Sequence, residues 1–224
     1  IMEERLKGIV LKTIDYKEAD KLASIFTLEH GLISAKFTGV KKEKAKLKAF
    51  TQPFVFADFI LNKSGNLRTV TSASLIDNFS GIIASYEKTI CGYIVLDIIR
   101  SILPSEKEEQ DVFLLTLSAL KNIEEKDEKI ATIDFILKFI NFAGLGLSFD
   151  LDKIIFLDKT TGNFTDKKEY NSVQIDKKVY SLIKNINDGV EVIEKNNTFS
   201  QALKLLHNIL YIKFNVDLKS CEFI

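Results

Sequence analysis

The stretch Pro53–Lys63 reads PFVFADFILNK, and its alternation decides which element it forms. Apolar side chains at every second position lie on one face of a β-strand, and here that set is Val55, Ala57, Phe59 and Leu61. Phe54 and Phe56 then point to the opposite face. We expect a following helical region to cover these two rings, in preference to their use for base stacking.

Strand patterns continue on both sides of this stretch. Short β-branched and aromatic runs alternate with turn residues, and the runs read RLKGIVLKTI, LASIFTLE, LISAKFTG and LRTVTSASL. His30-Gly31 and Ser64-Gly65-Asn66 supply two of the turns. About five strands in fewer than eighty residues is typical of a small closed barrel such as an OB-fold. We therefore expect an OB-fold domain over residues 1–79.

From residue 80 onward, the apolar residues recur every three to four positions, which is the spacing of helices. The segment ICGYIVLDIIRSIL predicts a buried helix, and Ser105 with Glu108 predicts a capping box for the next one. A third helix, IATIDFILKFINFA, is expected to end at Gly144 or Gly146. The sequence thus predicts an α+β protein in which residues 80–224 form a mainly α-helical domain.

Two further elements are expected in the second half of the chain. A hairpin is predicted near residues 151–166, turning at Thr161 to Asn163. Two helices, VYSLIKNI and FSQALKLLHNILYIKF, follow it, and Thr198 with Gln201 predicts the cap of the last.

Composition excludes several classes of protein. With 46% hydrophobic and 28% charged residues, the chain is an ordinary globular protein and not a disordered one. Two cysteines are too few for a disulfide scaffold, which favours a reducing cytoplasm. No signal peptide is recognised, and Asp97 and Arg100 argue against a membrane span in the longest apolar stretch.

Candidate catalytic groups are few, and we predict that the protein is not an enzyme. His30 lies in a turn, His207 lies in an apolar helix, and neither has a carboxylate or cysteine at ligand spacing. Cys91 is expected to be a small buried apolar residue. The acidic run EKEEQD at 106–111 is best explained as the first turn of a helix.

Positive charge is concentrated in the first part of the chain. The 224 residues carry no net charge, yet residues 1–80 hold 13 Lys+Arg against 9 Asp+Glu. Much of that excess lies in one run, GVKKEKAKLK, directly before the strand Pro53–Lys63. A basic loop beside the groove of an OB-fold can neutralise phosphates, so we predict a DNA-binding set of Lys36, Lys41, Lys42, Lys44, Lys46, Lys48 and Arg68.

The same region resembles the RecO family, bacterial recombination mediators of DNA repair. The shared pattern consists of a Gly-x-Val-Leu strand, a Glu, Phe-Thr-x-x-x-Gly, a Gly before basic residues, and Gln-Pro-Phe. In this chain its elements are Gly8, Val10, Leu11, Glu18, Phe26, Thr27, Gly31, Gly39, Gln52, Pro53 and Phe54. The closing segment LKSCEF is also similar to that of the family.

The resemblance implies a function and a set of partners. A RecO-like protein binds single- and double-stranded DNA, anneals complementary strands, and with RecR helps to load RecA on DNA coated by the single-stranded-DNA-binding protein (SSB). It would act in the cytoplasm, associated with the nucleoid, and would need no cofactor. Lys129 or Lys138 would receive the acidic tail of SSB, where relatives tend to place arginine.

The sequence departs from the family pattern at the zinc motif. Many relatives carry four cysteines after the glycine turn, whereas LDKIIFLDKTTGNF has none, so zinc is not expected. Ile154 and Leu157 are predicted to hold the hairpin by burial instead.

Two alternatives remain from the residues alone. The lysine run could bind structured RNA in a translation-associated protein, or it could only solubilise a barrel that serves as an assembly adaptor.

Overall fold

A computed structural model of the protein describes residues 2–64, 67–192 and 196–220. The chain forms two compact units, the first made of Ile1–Ile83 with Ile98–Leu117 and the second of Ala84–Asp97 with Ser118–Ile224. Residues 98–117, which follow the boundary predicted at residue 79, thus belong to the first unit. Gly65 and Asn66 of one predicted turn, and Cys221 in the closing segment, lie outside the described residues.

The first unit contains a closed five-stranded barrel, with strand order β1-β2-β3-β5-β4. Its strands are β1 (Met2–Tyr16), β2 (Asp20–Thr27), β3 (Gly31–Phe37), β4 (Phe56–Ser64) and β5 (Leu67–Asp77). The β3–β5 pairing, which closes the barrel, is parallel, and the other pairings are antiparallel. The predicted OB-type barrel is confirmed.

The inward face of β4 is the one that its alternation predicts. The barrel core includes Val55, Ala57, Phe59 and Leu61. The strand, however, begins at Phe56 and not at Pro53. Phe54 has a φ of 71°, a left-handed conformation that an extended strand does not contain.

Phe54 and Phe56 are covered, as expected. Phe54 is only 2% exposed. The Phe56 ring lies 6.0 Å from that of Phe113, which in turn lies 5.3 Å from the ring of Phe26. Since Phe113 belongs to a helix of the same compact unit, this stack is part of the core, and Phe54 offers no platform for a base.

The helices of the described residues have the following bounds: α1 (Ser80–Ile83), α2 (Tyr86–Ile102), α3 (Gln110–Glu125), α4 (Glu128–Phe142), α5 (Lys177–Asn187) and α6 (Asn196–Phe214). The buried helix predicted at residues 90–103 corresponds to α2, where Ile94, Ile98 and Ile99 are fully buried. Within the described part of the chain, no helix is both long and apolar enough to cross a membrane.

The predicted capping box at Ser105 and Glu108 is wrong. Ser105 forms a parallel bridge with Leu32 of β3, and the Glu106 amide donates to the Leu32 carbonyl at 2.9 Å. The segment before α3 therefore pairs with the barrel, and the helix begins only at Gln110. Of the acidic run at 106–111, only Gln110 and Asp111 lie in the first turn of this helix, and residues 106–109 precede it. The cap predicted at Thr198 is also wrong, because α6 begins at Asn196.

Gly31 allows the segment before α3 to lie directly against the barrel. The residue has a φ of 65°, and a Cβ placed there would lie 1.8 Å from the carbonyl oxygen of Lys107. Glycine is needed on both counts, for the left-handed turn and for the backbone contact.

Helix α4 has well-defined ends. The Asp127 side chain accepts from the amides of Lys129 and Ile130, which caps the N-terminus. Of the two glycines predicted to end the helix, Gly144 has the left-handed φ, at 73°. The amide of Leu145 then bonds to the Ile140 carbonyl at 3.1 Å.

A small sheet of order β7-β6-β8 lies in the second unit and contains the predicted hairpin. Its strands are β6 (Ile155–Asp158), β7 (Phe164–Thr165) and β8 (Ser172–Ile175). Leu157 is 2% exposed, as predicted, but Ile154 is 57% exposed, so its predicted role is wrong. Ile154 precedes the strand, and Ile155 is buried in its place.

Aromatic packing consolidates this sheet. The ring of Phe164 lies 5.0 Å from that of Tyr180 on α5, and both rings contact Phe149 at 5.6 Å. Such aromatic clusters bury large apolar areas. Packing of these side chains therefore stabilises the small sheet in the way that metal coordination would.

Candidate nucleic-acid interface

The lysine loop, residues 38–48, connects the end of β3 to a short 3₁₀ helix at Lys48–Thr51. Successive turns shape it, with amide-to-carbonyl bonds from Lys42 to Gly39, from Ala45 to Lys42 and from Lys48 to Ala45, at 3.1–3.2 Å. The loop therefore has a defined backbone, and its lysines are presented from fixed positions.

Apolar and polar anchors hold the lysine loop against the barrel. Val40 is 1% exposed and belongs to the barrel core, against which Leu47 also packs. Gly39, with a φ of 69°, donates its amide to the Asp20 carboxylate at 2.8 Å. Because these groups point inward, the lysines between them point toward solvent.

The lysines of the loop differ in how free their charges are. Lys42, Lys44, Lys46 and Lys48 are exposed, and none forms an ion pair with any carboxylate that the structure describes. The Nζ of Lys41, by contrast, lies 3.0 Å from the Asp15 carboxylate. Lys42, Lys44 and Lys46 line one groove of about 420 Å³ with Thr71 of β5. This groove is the most concentrated free positive charge among the predicted residues.

Lys36 extends the cationic surface onto the outer face of the barrel. It pairs in register with Leu22, which pairs with Ile14 of β1, so these three side chains share one face. A groove of about 250 Å³ on that face is lined by Lys12, Ile14, Leu22, Ala23, Ser24, Ser34 and Arg100. Sequence reasoning missed Lys12, although its cross-strand partner Ser24 places it on the same outer face.

Tyr16 is an aromatic group that sequence reasoning also missed. Its ring is 37% exposed, and the Nζ of Lys17 lies 5.4 Å from the ring centre, within range of a cation–π contact. The Lys41 Nζ donates to the Lys17 carbonyl at 3.4 Å, which ties this turn to the lysine loop. The signal was present in the sequence as an aromatic residue next to a lysine at a strand end.

Arg68 does not belong to this surface. Its side chain is 3% exposed and bonds to Glu4 at 2.8 Å and to Glu106 at 2.7 Å. We call these three residues the Arg68 cluster. The pairing holds the pKa of Glu106 below its usual value, chiefly through the hydrogen bond from Arg68. We therefore correct the predicted DNA-binding set by removing Arg68, whose charge is neutralised inside the first unit.

The two predicted contacts for an acidic tail lie on α4. Lys138 pairs with Asp134 one turn earlier, at 2.7 Å. Lys129 is half-buried in the first turn, where its amide is bonded to the Asp127 cap. Neither side chain is thus an isolated surface cation.

The Cys91 thiol and the His207 imidazole both lie in surroundings typical of residues with a structural role. Burial raises the pKa of the Cys91 thiol to about 11, which disfavours the reactive thiolate. His207 accepts from the Leu218 amide at 3.3 Å and lies 3.3 Å from Asp217, so the expectation of no nearby carboxylate is wrong. Across residues 2–64, 67–192 and 196–220, no group of three His, Cys, Asp or Glu is arranged to hold a metal ion.

A small closed barrel that carries a basic loop defines a class, the OB-type proteins that bind oligonucleotides. Within that class the chain belongs to the RecO family. Residues 2–79 match the family model for the recombination protein O N-terminal part, and residues 83–220 match the model for its C-terminal part.

Curated relatives agree with this assignment. The chain is 27% identical to the DNA repair protein RecO of Caldicellulosiruptor saccharolyticus, over 80% of this chain and 78% of that protein. It is 31% identical to DNA repair protein RecO of Clostridium novyi, over 76% of this chain and 65% of that one. For the Bacillus subtilis protein of the same name, identity is 28% over 73% of this chain and 64% of that one. The chain is therefore a member of a family of DNA repair proteins.

Proposed function

We propose that this protein is a recombination mediator that binds single- and double-stranded DNA through the lysine loop and Lys36. The observation that carries the proposal is the groove lined by Lys42, Lys44 and Lys46, whose ammonium groups have no described carboxylate partner. In this proposal the first 79 residues are the DNA-binding domain and residues 80–224 are the helical domain, and the protein acts on nucleoid DNA.

Binding by such a surface is mainly electrostatic and independent of sequence. Lysines that neutralise phosphates release condensed counterions, so affinity falls as salt rises, with a log–log slope of about −0.7 per phosphate on single strands. If about four lysines engage one strand, the slope is about −3. Tyr16, at the edge of the lysine loop, can add base stacking that tolerates any sequence.

Annealing then needs no bond chemistry. A surface that holds two strands at once screens their mutual repulsion and raises their local concentration, while base pairing supplies the free energy. The proposal therefore assigns no catalytic residue and no cofactor to this chain.

The partners in the proposal come from family membership. We propose that the protein cooperates with RecR and helps to load RecA on DNA coated by SSB. Lys129 and Lys138 are the proposed contacts for the acidic tail of SSB. Because Lys138 is paired with Asp134, that tail must compete with an intrahelical carboxylate.

A strand-annealing assay tests the proposal. Two complementary oligonucleotides are mixed with and without SSB, using the wild-type protein and the variant Lys42→Ala/Lys44→Ala/Lys46→Ala. We expect the wild type to accelerate annealing and the variant to lose most of that acceleration. No acceleration by the wild type, or equal rates for both proteins, would reject the function.

Two further measurements distinguish this function from RNA binding and from an assembly adaptor. Titration of structured RNA beside single-stranded DNA of equal length tests the RNA-binding alternative, which requires tighter binding to the RNA. An assembly adaptor would bind neither, and its barrel would have no reason to accelerate pairing.

A further inference from the structure

The outer face of β1, β2 and β3 carries the groove of about 250 Å³ that Lys12 lines, which we call the Lys12 groove. All of its lining residues belong to the first unit, and none belongs to the lysine loop. Its volume is close to the lower end of the range for small-molecule sites, about 300 Å³. The Lys12 groove therefore has room for one nucleotide-sized group and not for several in a row.

Hydrogen-bond donors form one row across the three strands in this groove. Lys12 of β1 pairs in register with Ser24 of β2, and Ser24 pairs in register with Ser34 of β3. Side chains of residues paired in this way lie side by side on one face of the sheet. Arg100 of α2 lines the same groove. Four donor side chains, two of them cationic, thus surround one small space.

Most of these donors are not used inside the protein. Within the residues that the structure describes, the side chains of Lys12, Ser24 and Ser34 form no hydrogen bond or ion pair. Arg100 has five N–H donors in a planar fork, so it can bond to a phosphate while it keeps another contact. No acidic residue is among those that line the groove. The groove is therefore arranged to receive an anion.

Apolar side chains form the next row on the same face. Ile14 of β1 pairs in register with Leu22 of β2, and both line the groove. The side chain of Ile14 is 52% exposed. Tyr16 lies two residues further along β1, so the alternation of the strand places its exposed ring on the same face. The donor row thus lies beside an apolar surface that can contact a sugar and a base.

We propose that the Lys12 groove binds a nucleotide through a terminal phosphate monoester, with the phosphate on the donor row and the nucleoside over Ile14 and Leu22. A phosphate monoester carries a charge of about −1.5 to −2 at pH 7 and three acceptor oxygens. A phosphodiester within a strand carries about one charge, so a site with two cations and two hydroxyls favours the terminal group. The ligand is then a phosphorylated DNA end, which rests on the proposed DNA binding, or a free nucleotide of the same chemistry.

Two measurements on the full chain test the proposal. Fluorescence anisotropy compares internally labelled single strands of one sequence that carry a 5′-phosphate, a 3′-phosphate or neither. We expect a phosphorylated end to tighten binding by about tenfold, because charge-assisted hydrogen bonds are gained. Calorimetry compares dAMP with deoxyadenosine. A preference for a phosphorylated strand identifies the DNA end as the ligand, and dAMP binding without that preference identifies the free nucleotide. Absence of both would overturn the proposal.

Variants locate the binding. Lys12→Ala/Ser34→Ala removes two exposed donors and should abolish most of the preference for a phosphate monoester. The matched variant Lys7→Ala/Ser72→Ala makes the same changes at exposed barrel positions outside the groove and should keep the preference. Binding of the unphosphorylated strand reports that each variant is folded. A preference that Lys12→Ala/Ser34→Ala leaves unchanged would also overturn the proposal.

Failure of this proposal is distinguishable from failure of the proposed function. The lysine-loop variant Lys42→Ala/Lys44→Ala/Lys46→Ala should weaken binding of all three strands and keep their affinity ratio, because it leaves the Lys12 groove intact. A wild type that binds unphosphorylated DNA, without end preference or dAMP binding, overturns the assignment of the Lys12 groove alone. A wild type that binds no DNA but binds dAMP through Lys12 overturns the proposed function alone.

Discussion

The lysine loop and the Arg68 cluster are two cationic regions of the same compact unit, and they use positive charge in opposite ways. Lys42, Lys44 and Lys46 are exposed around a groove, without a described acidic partner. Arg68 is 3% exposed between Glu4 and Glu106. An exposed ammonium group retains its charge for an external phosphate, whereas a buried guanidinium needs internal carboxylates to offset its loss of hydration.

A basic residue in a barrel strand is therefore not by itself a phosphate contact. Arg68 joins β5 to β1 and to the segment before α3, so it connects three parts of the first unit. Lys42, Lys44, Lys46 and Lys48 of the lysine loop form no ion pair with a described carboxylate. The loop is held on the barrel by Val40, Leu47 and the Gly39 amide instead. The two regions should therefore respond separately to mutation.

The largest effect is expected for Arg68→Leu. The substitution leaves the Glu4 carboxylate, 9% exposed, without its partner, and breaking a buried pair in this way costs about 3–5 kcal/mol. Urea unfolding followed by circular dichroism measures the loss. Lys138→Leu is the control: it breaks the Lys138–Asp134 pair, whose side chains are 59% and 30% exposed, and should leave the unfolding free energy nearly unchanged. Equal losses in both variants would contradict the contrast between buried and exposed pairs.

The next effect is on DNA affinity. Lys42→Ala/Lys44→Ala/Lys46→Ala should flatten the salt slope by about 2 and weaken single-strand binding by about 100-fold at 0.1 M salt, because about three phosphate contacts are lost. Its unfolding free energy should stay close to that of the wild type. Anisotropy titrations over a salt series measure the slope.

A matched triple variant serves as the control for this prediction. Lys167→Ala/Lys168→Ala/Lys178→Ala removes the same charge from exposed positions of the second unit. If it weakened binding as much as the loop variant does, net charge and not the lysine loop would govern affinity.

A smaller effect follows from the lowered pKa of Glu106. A carboxyl whose pKa is lower in the folded than in the unfolded protein stabilises above its ordinary value, here 4.5, and that stabilisation is lost as pH falls through the folded pKa. Glu106→Gln should therefore be less stable than the wild type at pH 7, and the difference should shrink below pH 4.5. Urea unfolding at several pH values measures both curves. A difference that stays constant over this pH range would mean that the charge of Glu106 contributes nothing to stability.

The smallest effect concerns Lys41, which is intermediate between the two regions. Asp15→Asn releases Lys41 from its 3.0 Å ion pair, so single-strand affinity should rise by about two- to threefold. The salt slope should become steeper by at most about 0.7, the value for one more phosphate contact. A drop in affinity would instead show that Asp15 positions Lys41 for binding.

Sequence reasoning reached the barrel because alternation is a local property. The inward row from Val55 to Leu61 was readable from period alone, and so was the buried helix at α2. It failed at Ser105, whose spacing to Glu108 imitates a capping box. The close approach of that segment to Gly31 depends on residues about 75 positions apart, which no local pattern records.

The candidate site divides in the same way. The lysine run is contiguous, so its concentration of charge was visible in the sequence, and Val40 and Leu47 between the lysines mark the anchored side. The groove that Lys159 and Lys204 both line in the second unit was not visible, because these residues lie 45 positions apart in the sequence. Lys12 escaped notice for a related reason, since its neighbours on the outer face come from two other strands.

Residue order alone encodes the period of each element, the family of the chain and the place where positive charge accumulates. Which of those charges remain free depends on how the chain folds. The energy of a charged group depends on its distance to carboxylates and to water, and folding sets both distances. Arg68 was paired and buried by that process, and the lysines at 42, 44, 46 and 48 were left facing solvent.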